Sequence, residues 1–123
     1  PDFRTFHDQS RVLRADLWCL IMHLRYYEMH VEQSYDSNLI EKLVEFRDGS
    51  MKYLMFRDWE PFERMFDDVV AATTDGERRK ALHLFSTFLE TLLGHVNTRA
   101  VLSDDPFDYP AVDVCDHTVK AAA

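Results

Sequence analysis

The sequence predicts an all-α protein: a single compact bundle of about five helices with an extended acidic C-terminal tail. Three observations lead to this class. The 123 residues include only three glycines and four prolines, which favours long regular elements over a turn-rich β fold. Apolar residues make up 46% of the chain, enough for one packed core at this length. Apolar positions also recur at helical spacing. We therefore expect a helical domain over residues 1–99 and a tail over residues 100–123.

The first predicted helix covers residues 8–32 and is apolar over most of its circumference. One apolar seam recurs at three- and four-residue steps: Leu13, Leu17, Leu20, Leu24, Tyr27 and Val31. A second apolar strip consists of Ala15, Trp18, Met22 and Met29. A third line mixes polar and apolar residues: Val12, Asp16, Cys19, His23, Tyr26 and His30. Because a helix that is apolar on most sides is usually buried, we expect this third line to lie on the buried side of a central helix.

Two shorter helices are predicted next. Residues 38–49 begin with Asn38 and Glu41 at the spacing of a capping box, and Gly49 stands where a C′ glycine would end the helix. Residues 51–56, with the sequence MKYLMF, are apolar on nearly every side. This segment has more apolar surface than one short helix buries on one side, so it either joins the core or lines a groove for a partner helix.

The last two predicted helices cover residues 59–73 and 74–97. Pro61 suits the first turn of the earlier helix, and TDGE at Thr74 to Glu77 again has capping-box spacing. The final helix is the most clearly amphipathic. Its apolar face consists of Ala81, Leu82, Phe85, Phe88, Leu89, Leu92, Leu93 and Val96. This pattern predicts that the face packs into the core.

Asp16, Cys19 and His23 raise the question of a metal or small-ligand site in the first helix. Their spacing of three and four residues places all three on one line. One helix cannot complete a four-ligand shell alone, and the Glu-x-x-His pairs of bundle di-metal sites do not occur. We therefore predict a structural polar seam with no metal and no cofactor, and we keep a ligand or metal site as an alternative.

The sequence does not indicate an enzyme. It has no Gly-rich phosphate loop, Gly-x-Ser-x-Gly elbow or Cys-x-x-Cys pair. Cys19 and His23 are a conceivable nucleophile pair, but a cysteine in the middle of a helix lacks the setting that lowers a thiol pKa. We therefore expect a non-catalytic protein.

Charge and cysteine content exclude other functions. A net charge of −8 disfavours binding to nucleic acid or to an anionic membrane, since both depend on basic surfaces. The longest apolar run, LWCLIM, is far shorter than the ~18 residues of a membrane span. Two cysteines do not suggest a disulfide scaffold, so we expect an intracellular protein of the cytoplasm or nucleus. We interpret the start, PDFRTFHDQSR, as a cut within a longer protein, and the three final alanines as a cloning remnant.

The remaining function is protein–protein interaction or dimerisation within a larger protein. The partner is another protein or a second copy of the chain. The candidate binding residues are Met51, Tyr53, Met55 and Phe56, together with Phe107 and Tyr109 of the tail. Phe107 and Tyr109 have the alternative of folding back onto the bundle. A fragment of a helical-repeat scaffold is a further alternative for the whole chain.

Overall fold

The computed structural model describes residues 3–31, 37–54, 56–102 and 109–112. Within these ranges the regular structure consists of four α-helices and two short 3₁₀ turns, so the all-α bundle is confirmed. The helices are α1 (Phe3–Met29), α2 (Ser37–Gly49), α3 (Trp59–Ala71) and α4 (Asp75–Leu102). The two turns, Met51–Tyr53 and Phe56–Asp58, connect α2 to α3. No helix in these ranges is long and apolar enough to cross a membrane.

The two long helices, α1 and α4, form the principal packing pair, and α2 and α3 pack onto them. The apolar seam predicted for the first helix is buried along its whole length, as is Ile21 beside it. In α4, seven of the eight predicted apolar positions are buried and Leu93 is partly buried against them. Phe62 of α3 contacts Phe46 and Phe85 through its ring, with centroids 5.2 Å apart in both pairs. These aromatic contacts join α2, α3 and α4 in one core.

Local sequence determines where α4 begins, as the capping-box spacing predicts. The Glu77 backbone N–H donates to Thr74 Oγ1 at 3.1 Å. The Glu77 carboxylate in turn accepts the Thr73 backbone N–H at 3.1 Å. These contacts satisfy backbone donors that have no partner within the helix. Pro61 likewise lies in the first turn of α3, where its missing N–H costs no helical hydrogen bond.

Several boundaries differ from the sequence prediction. Met51–Tyr53 is a 3₁₀ turn that ends at Leu54, where the backbone is extended, so the helix predicted over residues 51–56 is not found there. Met51 and Leu54 are both buried. Gly49 is the last residue of α2 and has no positive φ, so it is not a left-handed cap. The last helix continues past residue 97 to Leu102. Helical periodicity alone locates such ends to within a few residues, because terminal turns depend on tertiary contacts.

Candidate interaction surface

The side of α1 opposite the core carries a row of exposed apolar residues. Val12, Ala15, Cys19, Met22, Tyr26 and Met29 follow one another at alternating steps of three and four, and all are exposed. This is the spacing of a and d positions in a heptad repeat. Trp18 lies beside the row and is also exposed. We call these seven residues the outer strip.

The outer strip is large for a surface feature. Its five largest apolar side chains, Val12, Trp18, Met22, Tyr26 and Met29, are between 45% and 73% exposed. Together they present on the order of 600 Å² of apolar surface, the upper end of what the largest patch on a monomer covers. Among the side chains whose exposure the structure describes, the other large apolar residue with comparable exposure is Val70 of α3, at 52%. The apolar exposure is therefore concentrated on one helix face.

Two apolar faces on one helix explain the strip. The seam of Leu13, Leu17 and Leu24 turns into the core and is fully buried. At ~100° per residue, the outer strip falls on the opposite side of the same helix. The sequence prediction of a central, mostly buried helix was therefore wrong for Trp18, Met22 and Met29. The sequence correctly indicated that α1 is apolar on two faces, but the bundle covers only one of them.

Charged residues border the outer strip on both sides. Arg11 and Arg25 lie on the Trp18 side, and Asp16, His23 and His30 lie on the other. Arg25 Nε donates to Glu90 Oε1 of α4 at 2.9 Å. This half-exposed pair fixes one edge of the strip against α4, although such pairs stabilise by at most about 1 kcal/mol.

The predicted polar seam does not lie in the core. Cys19 and Tyr26 are exposed, and Asp16, His23 and His30 are partly exposed. The expectation of a buried line was therefore wrong. Asp16 Oδ2 accepts the hydroxyl of the buried Ser50, and His23 Nδ1 lies 2.8 Å from the Cys19 carbonyl oxygen. Asp16 and His23 thus each have a hydrogen-bond partner within the bundle, which is how partly buried polar groups are satisfied.

A shallow groove of about 330 Å³ separates α1 from α2 next to this line. Its walls include Asp16, Cys19 and His23, with Lys42 and Glu45 from α2. The three residues considered as metal ligands therefore share one groove. Across the described residues, no group of three or more His, Cys, Asp or Glu side chains has an arrangement that could hold a metal ion. The absence of a bound metal or cofactor remains a prediction.

Of the six predicted partner-binding residues, the structure describes the side chains of Met51 and Tyr109. Met51 and Tyr109 are buried, at 5% and 2% exposure, and belong to the core. Tyr53 and Phe56 lie in the 3₁₀ turns, and their side chains are outside the described part of the structure. Met55 and Phe107 are outside the described residues altogether. Among the described side chains of α1, the exposed apolar residues are those of the outer strip. The alternating spacing of three and four residues from Val12 to Met29 could have revealed them as a second seam.

Tyr109 shows that residues 109–112 pack on the bundle. Its hydroxyl donates to Asp58 Oδ2 at 2.9 Å, and its carbonyl oxygen accepts a guanidinium N–H of Arg57. Arg57 also lies over the Tyr109 ring, with its Cζ 5.2 Å from the ring centroid. Next along the chain, the Pro110 carbonyl oxygen lies 2.9 Å from His95 Nδ1 of α4. The alternative in which the tail folds back therefore holds for Tyr109.

Asp58 is the titratable group most affected by this packing. Its side chain is nearly inaccessible to solvent. Burial raises the pKa of the Asp58 carboxyl, while the Tyr109 hydroxyl, Arg57 and His95 each lower it and so oppose the shift. Because desolvation penalises the charged form, the three neighbours stabilise a carboxylate that the core would otherwise disfavour.

Comparison with known proteins adds no relative. No protein family, characterised protein or solved structure shows a significant match to this chain.

Proposed function

We propose that this chain is a non-catalytic protein–protein interaction domain that binds its partner through the outer strip of α1. The observation that carries the proposal is the exposed row of apolar residues at heptad spacing from Val12 to Met29. Such spacing is used by helices that pair with other helices. An apolar patch of this size, rimmed by charged residues, is typical of a protein-binding surface.

The composition of the strip supports a protein partner. Trp18, Tyr26, Met22 and Met29 are of the residue types enriched at interfaces, and Trp and Tyr are among the commonest hot-spot residues. The net charge of −8 disfavours nucleic acid and anionic lipid as the ligand. The proposal includes the sequence-based expectations of an intracellular setting and of an acidic tail over residues 100–123. Tyr109 belongs to that tail, but its side chain is buried against the bundle.

A retention experiment with matched variants tests this function. The chain is immobilised as wild type, Met22→Glu and Val70→Glu, and each form is exposed to the same native extract. Met22 and Val70 have similar exposure, 48% and 52%, so both variants add a charge at a comparably open site. We expect that wild type and Val70→Glu retain a protein from the extract that Met22→Glu does not retain. The reason is that a carboxylate placed in an apolar interface is left unpaired. Identical retention by all three forms would contradict a role for the outer strip.

A further inference from the structure

The outer strip has features that identify a particular partner. We propose that it binds the outer strip of a second copy of this chain, in a parallel and in-register pair of α1 helices. This inference rests on the function proposed above and specifies its partner.

The size of the strip fits such a pair. A standard protein interface buries ~800 Å² on each partner. The apolar strip supplies most of that area, and its two flanking rows supply a polar rim. A symmetric pair uses the same surface on both copies, so one strip covers the other completely.

Charge allows two copies to meet at this face despite the acidity of the chain. The polar residues of α1 beside the strip comprise two arginines, Arg11 and Arg25, two histidines, His23 and His30, and one carboxylate, Asp16. Exposed carboxylates of the described residues lie on the other helices: Glu41, Glu45, Asp48, Glu60, Glu63, Asp67, Asp75, Glu77 and Glu90. Two of these carboxylates lie at the edges of the strip: Glu90 is paired with Arg25, and Glu45, beside Cys19, is paired with Lys42. The acidic groups nearest the contact are therefore each matched by a cation, which limits the like-charge repulsion that would oppose association.

The flanking residues also select the orientation. With Val12, Cys19 and Tyr26 at a positions, Arg11 and Arg25 occupy g positions and Asp16 occupies an e position. In a parallel pair, a g residue faces the e residue five positions further along the partner, and such pairs set orientation. Arg11 of one copy then faces Asp16 of the other, twice by symmetry. In an antiparallel pair, the g positions of one copy face the g positions of the other. The arginines of both copies would then lie on the same side of the contact.

In a parallel, in-register pair, Cys19 lies next to the two-fold axis that relates the two copies. The a positions of a parallel, in-register pair face their own copies, so the two Cys19 side chains meet. Cys19 is a free, exposed thiol in the single chain. Its pairing therefore reports orientation directly, since a disulfide requires Cα atoms within about 7 Å of each other.

Molar mass in solution is the first test. Light scattering on the full chain should give twice the chain mass for wild type and Val70→Glu, and the single-chain mass for Met22→Glu over the same concentrations. We expect Met22→Glu to raise the dimer Kd by at least about tenfold, and Arg11→Glu to raise it a few-fold, as for other rim ion pairs. Circular dichroism confirms that each variant remains helical.

Oxidation is the second test. In a Cys115→Ser background, treatment with diamide should link two chains through Cys19, and Met22→Glu should suppress the linkage. A dimer that is sensitive to Met22→Glu but does not link through Cys19 would overturn the parallel arrangement. A wild-type chain that stays monomeric, or a dimer that Met22→Glu leaves intact, would overturn self-association through this strip. The function proposed above would still stand if the retention difference between Met22→Glu and Val70→Glu persisted.

Discussion

Tyr109 is the residue that attaches the C-terminal segment to the bundle. Its hydroxyl satisfies Asp58, a carboxylate only 2% exposed. An unsatisfied buried acceptor costs about 1–3 kcal/mol, and more when it is charged. The contact therefore explains both why a tyrosine near the end of the chain is buried and why the core tolerates Asp58.

Asp58 gives the stability a defined pH dependence. Burial raises its pKa above the ordinary value of 3.8, so the folded chain holds this proton more tightly than the unfolded chain does. The contribution of Asp58 to the free energy of unfolding therefore falls as pH rises from its ordinary pKa to the raised value, and is constant above that. Asp58→Asn removes this contribution. We expect urea unfolding between pH 3.5 and 7 to show wild type losing stability relative to Asp58→Asn over that window. A difference that does not change with pH would contradict a raised pKa.

At the scale of the elements, α4 provides the face on which the core is assembled. Phe85, Leu89 and Leu92 are fully buried, as the helical periodicity predicted. Phe85 also contacts Phe62 of α3 edge to face, at 73° between the rings. One face of α4 thus contributes to packing with both α1 and α3.

Phe85→Ala should therefore be strongly destabilising. Removing a fully buried phenylalanine loses its apolar contacts and leaves a cavity, at a cost of about 3–5 kcal/mol. Val70→Ala on α3 is the control, because Val70 is half exposed and should cost less than about 1 kcal/mol. Denaturant curves give both values. A loss below 1 kcal/mol for Phe85→Ala would mean that this face of α4 is not the core.

The elements differ in how far the sequence predicts them. The start of α4 follows from Thr74 and Glu77, which are three residues apart and act locally. Both faces of α1 carry apolar residues at helical spacing in the sequence, and how much of each the bundle covers depends on where α4 packs. The contact between Asp58 and Tyr109 joins residues 51 positions apart, and no local pattern reveals it. For the same reason the sequence analysis included Met51 and Tyr109, which are buried, among its six candidate binding residues.

At the scale of the whole molecule, the chain has one buried apolar face on α1 and one exposed apolar face on the same helix. The apolar core does not include the outer strip, and it contains buried residues from all four helices. The strip therefore has the properties expected of a surface that is covered by association. The two carboxylates of the other helices that border it, Glu45 and Glu90, are paired with Lys42 and Arg25.

Accessibility of Trp18 at different protein concentrations tests the central claim most directly. The chain has two tryptophans, and Trp59→Phe leaves Trp18 as the only emitter. If the outer strip is exposed in the single chain and covered by a second copy, acrylamide should quench Trp18 strongly at high dilution. Quenching should then fall as concentration rises, and Met22→Glu should remove this change. Strong quenching at every concentration would contradict self-association. Protection at every dilution that persists in Met22→Glu would show that the chain covers the strip itself.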